Sequence, residues 1–372
     1  MKKKVLVLGC TGSIGTSTLD IIRDFPDLFS VAGILAHNSE EKIKALSKEF
    51  GGVNFFLTKN STTTQLEEFI INSQADIVVN GISTSAGLFP SVVALKAGMD
   101  LALANKETIV MAGKIIKKIA KENNANILPV DSEHSAVFSL INRYGKDSVK
   151  EIILTASGGP FREFPTEKLN NVTPSDALKH PTWQMGQKIT IDSATLANKG
   201  LEVIEACQLF DVTTEQVKVV VHPQSLVHSL IKTKDGVLYA QVSPPDMKHP
   251  ILTALTWPNF VCNKLEELDI TAGCQLSFFP PRYQDFPMLS LAYHAAKNHG
   301  AYSIAFNAAN EVAVPAFLNG QISFCGISNL TKDVLDENWT ENPVTIEDVF
   351  LFDNKARQLA KSLLEKKPEA YS

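Results

Sequence analysis

The chain has no run of apolar residues approaching the roughly 18 that a membrane-spanning helix needs. It has no excess of positive charge: 35 lysines and arginines against 40 acids leave a formal net charge of −5. That balance argues against a general nucleic-acid binder or an anionic-membrane binder. Its five cysteines (10, 207, 262, 274 and 325) are odd in number, scattered, and without CxxC spacing. A disulfide framework or a thiolate metal site is therefore not expected, and a reducing compartment, the cytoplasm, is. There is no internal repeat and no low-complexity tract. The lysines at the N-terminus precede only four apolar residues, Val5 to Leu8, too few for the core of a signal peptide. Those four residues read as a strand.

What is present is enough for two or three domains with their own cores, since the chain runs to 372 residues, 44% of them hydrophobic. After Val5–Leu8 comes Gly9-Cys-Thr-Gly12-Ser-Ile-Gly15 and then a helical pattern over 18–24. Strand, glycine turn and helix are the context of a dinucleotide fingerprint, here spaced GxxGxxG. Glycines let the backbone approach a pyrophosphate, and Thr11, Ser13 and the helix N-terminus can donate to it. The alternative is a tight strand-to-helix turn. The second strand, Val31 to Ala36, is followed by His37, Asn38 and Ser39. No acid stands at its tip to hold a ribose 2′-hydroxyl, which leans toward NADP; no arginine is there to clamp a 2′-phosphate either, and Glu40 and Glu41 follow.

Further on, a strand ending in Asn105-Lys106-Glu107 is expected at the carboxyl edge of the sheet, where ligands bind. Ile127 to Val130 leads into Asp131-Ser132-Glu133-His134. If that stretch is extended, both carboxylates point one way, as an oxygen-ligand pair for Mg²⁺ or Mn²⁺; a solvated loop is the other reading. The loop Ser157-Gly-Gly-Pro-Phe161 suits a phosphate, and 177–188, with His180, Trp183, Met185 and Gly186, suits either a mobile lid or a packed loop. Asp192-Ser-Ala-Thr-Leu-Ala-Asn-Lys-Gly-Leu-Glu-Val-Ile-Glu205 is the densest stretch. A helix opening near Lys199 puts Glu202 and Glu205 on one face, with Ser193, Asn198 and Lys199 at or before its N-terminus, where an anion is favoured. Solvated acids on an amphipathic helix are the plainer reading. His222 and His228 are expected to be structural. Prolines at 244, 245, 250, 258, 280 and 281 mark turns and linkers, and from Leu289 the pattern is helical, its acids expected on solvated faces, with Asn307 and Asn310 sharing a face.

Taken together and in this order, the segments 9–15, 104–107, 131–134, 157–161, 192–202, 222–225 and 307–311 resemble 1-deoxy-D-xylulose 5-phosphate reductoisomerases over nearly the whole chain. The resemblance implies a homodimer that isomerises a phosphorylated sugar with a divalent cation and reduces it with NADPH. It implies an N-terminal Rossmann-like NADPH-binding α/β domain (1–130), a central α/β catalytic domain (131–257) with the lid at 177–188, a linker (258–287) and a C-terminal helical domain (288–372). Asp131, Glu133 and Glu202 would be the metal ligands, with Glu205 behind them or handling a proton. Ser157, Ser193, Asn198 and Lys199 would hold the phosphate, Ser132 the sugar hydroxyls, and His180 and Trp183 would belong to the lid. Thr11, Gly12, Ser13 and Ile14 would meet the pyrophosphate, and Ala36, His37 and Asn38 the ribose side. Met185 would lie against the nicotinamide side, Asn105, Lys106, Glu107 and Gly186 would also be cofactor contacts, and Lys106 would sit near metal and substrate. Two departures stand out: no basic residue at 37 or 38 beside the 2′-phosphate, and His249 where a small polar residue is expected. A Rossmann oxidoreductase of the homoserine dehydrogenase type would not need the three acids, and a non-catalytic nucleotide-binding module would need none of the site.

Overall fold

Val5, Leu6, Val7 and Leu8 are wholly buried, a continuous apolar run of the kind that forms a parallel strand covered on both faces. In the computed structural model, which describes residues 2–183 and 185–371, they lie in β1 (Lys3–Leu8). The chain then alternates: α1 (Ser13–Asp24), β2 (Phe29–Ala36), α2 (Glu40–Glu49), β3 (Phe55–Leu57), α3 (Thr63–Asn72), β4 (Ile77–Asn80), α4 (Leu88–Lys96), β5 (Asp100–Leu103), α5 (Lys106–Glu122), β6 (Ile127–Pro129) and α6 (Ser132–Tyr144). The six strands form one parallel sheet in the order β3-β2-β1-β4-β5-β6. Winding reverses between β1 and β4, which opens a crevice at the carboxyl ends of those two strands.

A second, mixed sheet is ordered β10-β9-β7-β8. Its first strand is β7 (Val149–Ala156); α7 (Pro174–Ala177), α8 (Gln187–Ala194) and α9 (Ala197–Phe210) precede β8 (Val217–Val221), β9 (Val227–Thr233) and β10 (Leu238–Val242). The chain continues through α10 (Lys248–Thr256) to α11 (Pro287–Asn298), α12 (Tyr302–Leu318), α13 (Phe324–Leu335) and α14 (Ile346–Lys366). Two compact units result. One comprises Met1–Ile109, Lys114–Ser135 and Asp246–Glu266; the other comprises Val110–Gly113, Ala136–Pro245 and Glu267–Ser372. The segment 246–266, which the sequence reading divides between catalytic domain and linker, thus belongs with the first unit. There α10 buries Ile251 and Leu255 and is tied down by Lys3 Nζ on the Leu255 carbonyl (2.8 Å) and by Lys248 on Asp20 (3.0 Å).

Three local readings are corrected. The stretch Asp131–Glu133 is not extended: the Ser135 amide donates to the Asp131 carbonyl at 2.8 Å, so α6 begins at Ser132 and Glu133 lies in its first turn, where the helix dipole favours an acid. Lys106 does not end a strand; β5 stops at Leu103, and Asn105 caps α5 by accepting from the Thr108 amide. The helix α9 opens at Ala197, after Leu196 turns through a left-handed conformation (φ 61°), while Ser193 lies in the last turn of the preceding helix α8. Gly200 lets α9 approach α11, since a Cβ there would sit 2.6 Å from that of Ala292.

The helix α12 is buried on nearly every side. Its Glu311 is not on a solvated face: Arg357 of α14 bridges Glu311 (2.6 Å) and Asp353 (2.7 Å), with both acids under a tenth exposed. Burial alone would lower the guanidinium's proton affinity; the hydrogen bonds and charge of the two acids outweigh it. Removing one partner of such a cluster strands the others. Arg357→Ala should lower unfolding stability by about 3–5 kcal/mol, read as a fall in the urea midpoint.

Candidate active site

In the first unit the glycines at the crevice are sterically required. Gly9 has φ of 80°, and a Cβ on Gly15 would lie 2.3 Å from the Gly9 carbonyl oxygen. Gly12 is the N-cap of α1 and brings no side-chain hydrogen bond, so the first-turn amides keep their donors. Thr11, Gly12, Ser13 and Ile14 are all at least partly exposed there. At the tip of β2, Ala36 is buried while His37 and Asn38 are exposed. Beneath this turn Cys10 is sealed in, and burial pushes its thiol up to about 11, so it is inert.

Also in the first unit, Lys106 and Asp131 form a nearly buried ion pair (2.8 Å), and His134 Nδ1 lies 3.1 Å from the other oxygen of Asp131. Ser132 donates to Glu133 at 2.6 Å. Asn105 and Glu107 are buried; the Asn105 amide donates to the Ile82 and Thr84 carbonyls (both 2.8 Å) and to Glu107 (3.0 Å). These two residues thereby brace the loop after β4. His134 escaped the sequence reading because its three-residue spacing from Asp131 has meaning only once α6 starts at Ser132.

In the second unit, Glu202 and Glu205 are 0% and 1% exposed, which removes the plainer reading of solvated acids. Glu202 accepts from Asn198 at 2.6 Å and from Lys199, which is itself buried. Two of the residues expected to hold phosphate are therefore already bonded to the acid expected to hold metal. Ser157 and Ser193 converge on one histidine: His180 Nε2 is 3.1 Å from each hydroxyl. The Gly159 turn (φ 65°) makes this approach feasible, because a Cβ there would lie 2.8 Å from the Ser193 carbonyl. Trp183 and Met185 are half-buried and Gly186 caps α8; Gln184, within the expected lid, lies outside the described residues. Asp192 was not singled out as a site residue. It is buried beside Ser193, with Lys188 and Asn310 each 2.8 Å away, so Asn310 of α12 supports the turn that carries Ser193. His222 and His228 are buried and bonded to backbone carbonyls of Ser277 (2.8 Å) and Ser243 (3.2 Å).

A parallel sheet of this order with an uncapped glycine turn at its switch point is the arrangement of dinucleotide-dependent enzymes, and each unit separately holds an acid against a lysine, Asp131 with Lys106 and Glu202 with Lys199. Models of 1-deoxy-D-xylulose 5-phosphate reductoisomerase match residues 5–73 and 54–113, and those of its C-terminal domains match 127–210 and 242–359. The proteins of that name from Treponema denticola and Treponema pallidum are 50% and 46% identical, over 96% and 97% of both chains. The solved enzyme from Zymomonas mobilis in complex with NADPH is 38% identical, with a TM-score of 0.90, covering 98% of this chain and 100% of that one. Another, in complex with NADPH, fosmidomycin and magnesium, is 35% identical with a TM-score of 0.89, covering 98% and 99%. The chain belongs to the 1-deoxy-D-xylulose 5-phosphate reductoisomerase family.

His180 offers a direct test of the contacts that join Ser157 and Ser193. The amides of Thr182 and Trp183 donate to its Nδ1 (3.2 and 2.9 Å), so its proton resides on Nε2, facing the two serines. Burial lowers its pKa from 6.5 to about 4. The neutral ring's contribution to stability is therefore complete above pH 6.5 and is lost as pH falls through 4. Nitrogen-15 NMR should find the Nε2–H tautomer at neutral pH and titration near pH 4; a cationic ring at pH 6 would disprove the assignment.

Proposed function

We infer that the residues described above divide between them the conversion of 1-deoxy-D-xylulose 5-phosphate to 2-C-methyl-D-erythritol 4-phosphate. The enzyme isomerises the ketose with a divalent cation and reduces the product with NADPH, a step of the non-mevalonate route to isoprenoid precursors. Asp131, Glu133 and Glu202 hold Mg²⁺ or Mn²⁺. The fit is chemical: three carboxylates are a hard-oxygen donor set, and Asp131 and Glu202 already bear cationic lysines, so both are built to face positive charge. The glycine cradle, in which a Cβ on Gly15 would strike the Gly9 carbonyl, fits a pyrophosphate against Thr11, Gly12, Ser13 and Ile14, the Gly12 amide itself closing the turn on the Gly9 carbonyl at 3.0 Å. When bound, the cation supplies Lewis-acid polarisation of neighbouring substrate oxygens and the dinucleotide supplies hydride.

The chain's own side chains then bind and orient. Ser157, Ser193, Asn198 and Lys199 take the phosphate, Ser132 the sugar hydroxyls, and Lys106 keeps Asp131 aimed. Glu205 lies behind Glu202 as a proton-handling or orienting acid. His180 and Trp183 close over the substrate and exclude water. Met185, Gly186, Asn105, Lys106 and Glu107 serve the nicotinamide side, and Ala36, His37 and Asn38 the adenosine ribose. The assembly is a homodimer, in keeping with the exposed apolar side chains Leu238 and Val242 on the edge strand β10 and of Phe278 and Phe279. The cytoplasm is its compartment, in keeping with five free cysteines. No helix among the described residues is long and apolar enough to cross a membrane.

The observation that carries this reading is the burial of Glu202 against Lys199 and Asn198 in a chain that matches a relative of the family over 96% of its length. Substrate-dependent oxidation of NADPH, followed by absorbance, should require added Mg²⁺ or Mn²⁺ and stop with EDTA. Glu202→Gln should reduce turnover by more than about 100-fold while the Kd for NADPH stays within about twofold; normal turnover would move the metal elsewhere. Lys199→Ala should raise the substrate KM by about tenfold or more, as expected for a lost charged hydrogen bond to phosphate. An unchanged KM would place the phosphate on other residues.

A further inference from the structure

We propose that Lys59 sets the preference of this enzyme for NADPH over NADH by bringing its ammonium to the ribose 2′-phosphate. The inference rests on the NADPH reading above and names a residue for which the sequence has no motif. In a doubly wound sheet the adenosine ribose lies at the tip of the second strand. Here that tip is Ala36-His37-Asn38, with neither lysine nor arginine. The strand β3 runs parallel beside β2 with Leu57 opposite Ala36, so the residues after Leu57 emerge at the same edge.

Two contacts fold the turn Thr58–Asn60 against the tip of β2. The Lys59 amide donates to the His37 carbonyl at 3.0 Å, and His37 Nδ1 lies 2.9 Å from Thr58 Oγ1. The Lys59 side chain is exposed beside this junction, on a flexible four-carbon stem. The charge balance at the tip calls for such a group. Glu40 and Glu41 open α2 directly after Ser39, and Lys44 at 2.6 Å answers only Glu40. A 2′-phosphate brought beside Glu41 needs a further cation, whereas the 2′-hydroxyl of NADH does not. A lysine supplies a point charge without the bidentate geometry of arginine, which suits an exposed terminal phosphate. Lys59 therefore acts where the basic residue of the strand tip itself is missing, reaching the same ligand atom from the neighbouring strand.

The test is binding, measured by fluorescence titration of the purified full chain with NADPH and with NADH, without substrate. Lys59→Ala should weaken NADPH by about tenfold and leave NADH within about twofold, as for removal of one charged contact. Lys59→Arg should restore NADPH binding. The ratio of the two Kd values should shrink with added salt in the wild type and stay flat in Lys59→Ala, because the lost contact is an exposed ionic one. A ratio unchanged by Lys59→Ala, or a loss shared equally by both dinucleotides, overturns the inference while leaving the NADPH reading intact. Wild-type protein that binds NADH as tightly as NADPH overturns both.

Discussion

A carboxylate cut off from water survives ionised only if cations or several donors reach it, and that constraint governs both units of this chain. Glu202 is wholly inaccessible and is supported from within its own helix by Asn198 and Lys199. Asp131 is supported by Lys106 from another helix and by His134 from its own. Such pairs contribute little net stability, because the cost of desolvating both ions offsets their attraction. Their value is orientation. A carboxylate with several fixed partners presents its remaining lone pairs in one direction.

The same logic extends outward in shells. Asn310 and Lys188 hold Asp192, Asp192 adjoins Ser193, and Ser193 shares His180 with Ser157. This cluster of hydroxyls around His180 is therefore anchored to α12, a helix buried on nearly every side, and not to loop backbone alone. Rigid support for a polar subsite is what lets binding energy be used for positioning.

The parts of this architecture that are legible in the sequence are the ones whose physics is local. Val5–Leu8 followed by the glycine triplet announces a buried parallel strand and a bare helix N-terminus without reference to any other segment. The parts that are not legible depend on partners far along the chain. Asp131–Glu133 reads equally as an extended segment or a solvated loop, and its helical start shows only when the amide of Ser135 closes on the Asp131 carbonyl. Glu311 has the appearance of a surface acid until Arg357, 46 residues later, reaches it. Asp192 stands at the head of the densest stretch, yet its own contact comes from Asn310, 118 residues away. Lys59 gains meaning only from the pairing of β3 with β2, which no periodicity reveals.

The discontinuity of the first unit has a consequence for how the protein is made. Its six-stranded sheet is encoded before residue 130, yet α10, which covers α1 and receives Lys3 and Asp20, is encoded at 248–256. On a ribosome adding roughly 5–20 residues per second, the sheet waits on the order of ten seconds for its last helix. During that interval the apolar surface that Ile251 and Leu255 later cover is exposed. A fragment ending near residue 130 thus lacks a structural part of its own core.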